Sequence, residues 1–186
     1  MFSSIVYFFE DYLRAQQQLT RFYRSEVLVR VDRVQKVQRG GTLLRYRALV
    51  IGGNTKGVAG FGVAKGLDAN TVSLLASKMS KRNIFFIERH LGNGLTKDLV
   101  GRHNSCKVFL RATSPGRGLH GHSLVLEILK RIGISDCSVK THGNRNQFNV
   151  VRATFKAIMT HESLQDMARK RGRRLVNLER SKHFQV

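Results

Sequence analysis

Apolar and polar residues alternate from Glu26 onward. Val27, Val29 and Val31 fall on one side of an extended chain and Leu28, Arg30 and Asp32 on the other, a period of two that predicts a strand. The alternation loses register after Asp32, which predicts a bulge or bend before Val37. Arg39-Gly40-Gly41-Thr42 reads as a hairpin turn, with the Gly-Gly pair supplying positive φ angles and Arg39 at the tip. The returning strand, 43–51, places Leu44, Tyr46, Ala48 and Val50 on one face and Arg45 and Arg47 together on the other, an open one. A second turn over 52–57 leads into a third strand within Gly57-Val58-Ala59-Gly60-Phe61-Gly62-Val63-Ala64-Lys65-Gly66. Asp68 or Asn70 then caps a helix whose apolar positions Val72, Leu75, Ala76 and Met79 follow helical spacing and whose outer face carries Lys78, Lys81 and Arg82.

The polar run Leu91-Gly92-Asn93-Gly94 marks a boundary. Beyond it, 107–113 reads as a strand, 114–122 as a glycine-rich turn, and Val125, Ile128, Leu129 and Ile132 as the core stripe of a helix stopped by Gly133. A strand over 134–141 and a helix over about 146–160 follow, the helix burying Val151, Phe155, Ile158 and Met159. From Met167 the chain is helical at first and dense in bases, including Arg169-Lys170-Arg171-Gly172-Arg173-Arg174. The expected class is α+β. It comprises an N-terminal extension (1–25), a domain of three antiparallel strands and a helix (26–92), a C-terminal β/α domain (93–162) and a basic tail (163–186), with a core in each domain.

Charge narrows the partner. The 33 Lys and Arg against 12 Asp and Glu leave +21 over 186 residues, with a pI of 11.2. Blocks 26–92 and 93–160 each carry +8, so this is not a basic tail on a neutral domain but two folded blocks with basic faces. Nucleic acid is the expected partner, ahead of an anionic membrane, and no apolar run approaches the roughly 18 residues of a membrane span. Three antiparallel strands followed by a helix, with bases at the tips, resemble a double-stranded-RNA-binding domain, which reads A-form shape and backbone. In that setting the stretch 57–66, rich in glycine, free of acid and ending near Lys65, is expected to bring its backbone against phosphates.

Catalytic readings fare poorly. Gly116-Arg117-Gly118-Leu119-His120-Gly121 matches G-x-G-x-x-G between a strand and a helix, the setting of a dinucleotide turn. Asp136 has the spacing of the ribose-binding acid but stands at the beginning of its strand, and the remaining chain has no room for a doubly wound sheet. Cys106 and Cys137 lack partners at metal-ligand spacing and read as small strand residues. The seven histidines form no ligand set, and His120 and His122 are expected to make a helix-start hydrogen bond or a phosphate contact. No catalytic residue, metal site or cofactor is expected, and the chain is not read as an enzyme.

Taken in order, the pieces resemble ribosomal protein S-five of the small subunit. The likeness rests on Val31-Asp32-Arg33-Val34-Gln35-Lys36-Val37 before Arg39-Gly40-Gly41, then Ala48-Leu49-Val50-Ile51-Gly52, Gly60-Phe61-Gly62 with Lys65, Arg82-Asn83-Ile84, Val108-Phe109-Leu110, Gly116-Arg117-Gly118, and Asn149-Val150-Val151-Arg152-Ala153-Thr154. The resemblance implies a structural constituent of the small ribosomal subunit that binds rRNA, next to ribosomal proteins S-four and S-eight and close to where mRNA enters, and that supports decoding accuracy. By position, it implies RNA or mRNA contacts at Arg33 and Lys36, at Arg39, Gly40 and Gly41, and at Gly60, Phe61, Gly62 and Lys65; Arg45, Arg47, Lys56, Arg111 and Arg117 complete the expected RNA-binding set. Two departures from bacterial members stand out, Val58 in place of a basic residue and Ala64 in place of a glycine. The turn 116–122 and the segment 132–136 look like mitochondrial members, so a mitochondrial ribosome is expected, with another organelle or the bacterial cytoplasm as the alternative. The alternative function is a free-standing double-stranded-RNA-binding regulator.

Overall fold

The structure is a computed structural model that describes residues 25–176; apart from Ser25, the expected N-terminal extension lies outside the described residues, as does the tail beyond 176. Strands β1 (Ser25–Gln38), β2 (Gly41–Gly53) and β3 (Val58–Gly66) form an antiparallel sheet, helix α1 (Ala69–Arg82) packs on it, and β4 (Ile84–Phe86) adds a fourth strand beside β3. A second sheet holds β5 (Leu99–His103), β6 (Cys106–Ala112), β7 (Leu119–His120) and β8 (Cys137–Gly143) in the order β5-β6-β8-β7, the last pair parallel. Helices α2 (Ser123–Ile132) and α3 (Gln147–Met159) cover it, and α4 (Leu164–Lys170) follows. Beyond the expected elements, β4, β5 and β7 were too short for periodicity to reveal.

The caps follow local chemistry. Asp68 accepts the Thr71 N–H at 3.1 Å and opens α1, and Asn146 accepts the Phe148 N–H at 3.1 Å and opens α3. Gly133 ends α2 at φ 88°, a left-handed residue that an L side chain would strain. At the first hairpin only Gly41 takes a positive φ; the turn itself is Arg39–Gly40.

The bulge lies earlier than the alternation suggested. Register shifts between Leu28 and Arg30, leaving Val29 unpaired, and pairing then runs unbroken to Gln38 opposite Gly41. The extra residue flips the sidedness of all that follows, so Val27 lies opposite Ile51 but Val31 lies opposite Ala48, on the other face. It also decides which cations share a surface.

The glycines of β3 have a packing role. Gly60, Gly62 and Ala64 pair across from Gly52, Val50 and Ala48 and form a track of small residues beneath α1. A Cβ on Gly62 would stand 2.0 Å from the Ala76 carbonyl oxygen, and one on Gly60 would stand 2.4 Å from that of Asn83. The helix answers with Val72, Ala76 and Ser80, all fully buried, while Leu75 and Met79, expected in the core, are 46% and 42% exposed. Small residues on both surfaces let helix and sheet approach closely, which turns α1 away from its larger apolar side chains. On α3, Met159 is likewise exposed, and Phe148, Val150 and Ala153 join Val151, Phe155 and Ile158 inside.

The expected division of one core to each domain is not kept: there are two apolar clusters, and the larger spans both sheets. Over residues 48–53 of β2 the first sheet is buried on both faces. Ala48, Val50, Ala64, Val72 and Ala76 make a small cluster under α1. The opposite face contributes Leu49, Ile51 and Ala59 to a large cluster that continues through Val108, Leu110, Ile128 and Phe155 of the second sheet and its helices. Phe61 sits at the junction, its ring centroid 4.9 Å from Phe155 and 6.2 Å from Phe85. Polar groups lock the seam. The Thr55 and Gly57 N–H groups donate at 2.8 Å to the Arg131 and Ile132 carbonyls in the last turn of α2, and Arg89 Nη1 donates to both Thr55 O and Gly133 O at 3.1 and 3.0 Å. The fit is close enough that a Cβ on Gly133 would meet the Thr55 carbonyl oxygen at 1.9 Å.

Gly62→Ala should therefore cost ~2 kcal/mol in chemical denaturation, since the colliding atoms are backbone and cannot swing aside. Gly40→Ala, where nothing lies within 4 Å, should leave the midpoint unchanged. Equal midpoints for the two variants would refute the packing role of the β3 glycines.

His161, after α3, ties the segment between the sheets. Its Nε2 accepts the Thr96 N–H at 3.0 Å, which requires the neutral ring, and burial above all holds its pKa below the ordinary 6.5. A depressed folded pKa means that this contribution is complete above pH ~6.5 and is lost as pH falls through the folded value. Urea midpoints should decline on acidification from pH ~7.5 to ~5, and less steeply in His161→Gln, whose amide oxygen still accepts without titrating. Parallel curves would show that His161 does not drive the decline.

Candidate nucleic-acid interface

β1 and β2 continue past the point where β3 stops. Gly66 is the last residue of β3 and lies opposite Tyr46, whereas β1 and β2 pair on from Val34–Arg45 to Gln38–Gly41. The result is a two-stranded ribbon projecting from the sheet, every residue of β1 from Arg33 to Gln38 exposed. Such a ribbon is marginally stable alone. Val34, Val37 and Leu43 stand 51%, 81% and 46% exposed on it, interleaved with Arg33, Lys36, Arg39 and Arg45.

The register sorts these cations onto two faces. Lys36, Arg45, Arg47 and Lys65 share one, through the pairs Lys36–Leu43, Val34–Arg45 and Arg47–Lys65. With Val34, Gln38, Leu43 and Tyr46 they line a groove of about 440 Å³ that contains no acid. Arg33 pairs with Tyr46 on the other face. Asp32 lies opposite Arg47 on the first of these faces and is paired with Arg30.

Arg47 corrects the expectation of an open sheet face bearing two equivalent arginines. Arg45 is exposed, but Arg47 is half-buried, its guanidinium carbon 3.7 Å from the centroid of the Phe148 ring at the start of α3. It thus spans the seam and the groove together: one side of the guanidinium is spent on the aromatic face, and the buried Nε makes no hydrogen bond. A cation held flat in this way presents its remaining donors with little entropy left to lose.

The other expected residues scatter. Arg39, Gly40 and Gly41 form the exposed ribbon tip. Gly60 and Gly62 lie buried under α1 and Phe61 faces the core, so the close approach their sequence suggests is to a helix. Ala64 is buried in the same track, and its methyl group packs with Val72 and Ala76. Lys56 is exposed at the far end of β2 from Arg39, a strand of 13 residues away, or roughly 40 Å. Lys81, expected on the outer face of α1, is engaged with Glu26 of β1 at 2.7 Å. Arg111 and Arg117 are both exposed, on β6 and in the loop after it.

That loop is held from within. Asp136 is 6% exposed, and its carboxylate accepts the Gly118 N–H at 2.9 Å and the Ser135 hydroxyl at 3.1 Å. The Gly118 N–H in the first place, with those of Gly116 and Arg117 and the Ser135 hydroxyl, holds the Asp136 acid below the usual carboxylate range. Backbone donors that a bound phosphate would need are thus given to an internal carboxylate, which accounts for both the G-x-G-x-x-G spacing and the acid about 20 residues on. His120 Nε2 meets the Arg117 carbonyl at 2.9 Å and steadies the same loop. Cys106 and Cys137 are fully buried and free, and burial pushes the Cys137 thiol up to about 11. Among the described residues no helix is long and apolar enough to cross a membrane.

Against known proteins, the model of "Ribosomal protein S5, N-terminal domain" matches residues 25–88 and that of "Ribosomal protein S5, C-terminal domain" matches residues 101–171. The chain is 34% identical over 156 residues to proteins called "Small ribosomal subunit protein uS5" from Brucella anthropi and Brucella canis, with 84% of each chain covered.

Replacing Arg47 with alanine should lower stability by roughly 1 kcal/mol through loss of the Phe148 contact. Arg45→Ala should leave stability unchanged and weaken only RNA binding. Thermal melts of the two variants check this, and an unshifted Arg47→Ala melt would remove Arg47 from the seam.

Proposed function

Because this chain belongs to the ribosomal protein S5 family, we propose that it is a structural constituent of the small ribosomal subunit that binds rRNA and has no catalytic step. The observation that carries this reading is the acid-free groove of Lys36, Arg45, Arg47 and Lys65 at the base of an exposed, basic and apolar ribbon. Four cations against one neighbouring carboxylate, that of Asp32, opposite Arg47 and already paired with Arg30, suit a phosphate backbone, which positions a protein without specifying a sequence. Arg39 and Arg33 extend the charge to the tip and to the reverse side. Placement near the entrance for mRNA, contact with proteins S-four and S-eight, and support of decoding accuracy are our reading of the family likeness. The projecting ribbon and the exposed apolar residues upon it support that reading. Lys56, at the other end of β2, belongs to a separate contact.

The ribosome's compartment is where two observations diverge. The turn 116–122 favours a mitochondrial ribosome, and the relatives described above are bacterial, which fits the alternative of a bacterial cytoplasm. Fractionation of cells expressing the tagged full chain assigns it.

Sucrose-gradient sedimentation of native extract, with and without RNase, tests the function. Co-migration with small subunits that is abolished by RNase is the expected result. A light, free species at physiological salt would promote the double-stranded-RNA-binding regulator instead. If about six phosphates are neutralised, affinity for rRNA should fall roughly a thousandfold between 50 and 200 mM salt, and a flat response would count against a phosphate-dominated interface.

A further inference from the structure

Among the described residues, the second sheet has one covered and one open face. Gly101, Val108 and Thr141 form a row that meets α3, where a Cβ on Gly101 would stand 2.0 Å from the Ala153 carbonyl oxygen. The rows on either side of it point the other way. Val100, Phe109 and Lys140 lie side by side across β5, β6 and β8, and so do Arg102, Lys107 and His142. Val100 is 47% exposed, Phe109 is half-buried, and neither belongs to the apolar clusters of the core. Arg102, Lys107, Lys140, His142 and the neighbouring Arg111 are all exposed.

This surface is unfavourable as it stands. Arg102 and Lys107 are directly opposed across the ladder, an arrangement that costs stability, and β5, β6 and β8 contain no acid to relieve it. Asp98, just before β5, is engaged with the Ala112 N–H at 2.9 Å. An aromatic ring in the middle of a sheet, neighbouring side chains about 5 Å away across strands, and cations on the flanking rows are the components of a platform for unpaired bases. A duplex would present only phosphates and sugars to it and leave Phe109 unused.

We propose that the open face of β5-β6-β8 is a second RNA surface, which takes a single-stranded segment by stacking a base on Phe109 while Arg102, Lys107 and Lys140 hold the flanking phosphates. The proposal rests on the reading of the chain as an RNA binder but not on the ribbon groove. With the two sheets joined through one core, the protein would clamp a single-stranded segment at a fixed position relative to a structured one.

The full chain and two variants, Phe109→Leu and Lys36→Ala/Arg45→Ala, are titrated by fluorescence anisotropy with a labelled oligouridylate of about 12 nucleotides and a blunt RNA duplex of about 20 base pairs. Phe109→Leu should weaken oligouridylate binding by about fivefold to a hundredfold and leave duplex binding within about twofold, and the groove variant should do the reverse. Oligouridylate binding that is absent in the unaltered chain, or unmoved by Phe109→Leu, overturns the proposal. Loss of duplex binding alone in the unaltered chain would overturn the groove reading and leave this one standing. In assembled subunits, a photocrosslinker introduced as Phe109→p-benzoylphenylalanine should yield an RNA adduct, and a protein adduct in its place would identify the face as a protein interface and overturn the proposal.

Discussion

The meeting of the β2–β3 loop with the end of α2 is the contact on which the rest of the molecule depends. A helix ends with carbonyls that no later turn can satisfy, and a tight loop carries N–H groups that its own strands cannot use. Here each supplies what the other lacks: Thr55 and Gly57 donate to Arg131 and Ile132, and Arg89 bridges the two sides. Hydrogen bonds of this kind are directional, so they define one orientation, whereas apolar burial alone would tolerate several. The aromatic contact of Phe61, Phe85 and Phe155 fills the space beside them.

That seam makes two sheets into one body. The first sheet has no solvent face over residues 48–53, because α1 takes one side and the second sheet's helices take the other. β1 lies at the edge, and β1 and β2 lose their cover altogether where the partner elements run out, beyond Arg33 and Tyr46. The ribbon and its groove are thus a consequence of length: β1 and β2 outrun their neighbours. A basic groove on the ribbon and a basic open face on the second sheet are held in fixed relation, which suits a protein whose partner is a folded polyanion. The net +21 that such surfaces impose is tolerable when phosphates neutralise it.

Several features that carry the look of ligand binding turn out to serve the fold. The β3 glycines make room for α1, and the glycines before α2 offer their N–H groups to Asp136. Glycine in a strand means close approach by something, and the sequence pattern is the same whether that partner is a phosphate or a helix backbone. Arg47 belongs to both categories, packed on Phe148 and still facing the groove.

The local rules were legible along the chain. Alternation placed the three long strands, helical spacing and caps placed α1, α2 and α3, Gly133 marked a helix end, and the charge balance pointed to a nucleic-acid partner. Of the ribbon cations, Arg39 and Arg45 could be named from the turn and alternation, and Lys36 only from the family resemblance. These are properties of a residue and its near neighbours, so they survive without knowledge of what packs where. The tertiary structure decided which face of each element is covered. A bulge at Val29 moved Val31 to the opposite face from the one alternation assigned, a track of small residues drew α1 down on Gly62 and left Leu75 and Met79 in solvent, and the seam carried Leu49, Ile51 and Arg47 inward. Burial is settled by the partner surface, and that surface comes from other elements of the chain, beyond the range of any periodicity.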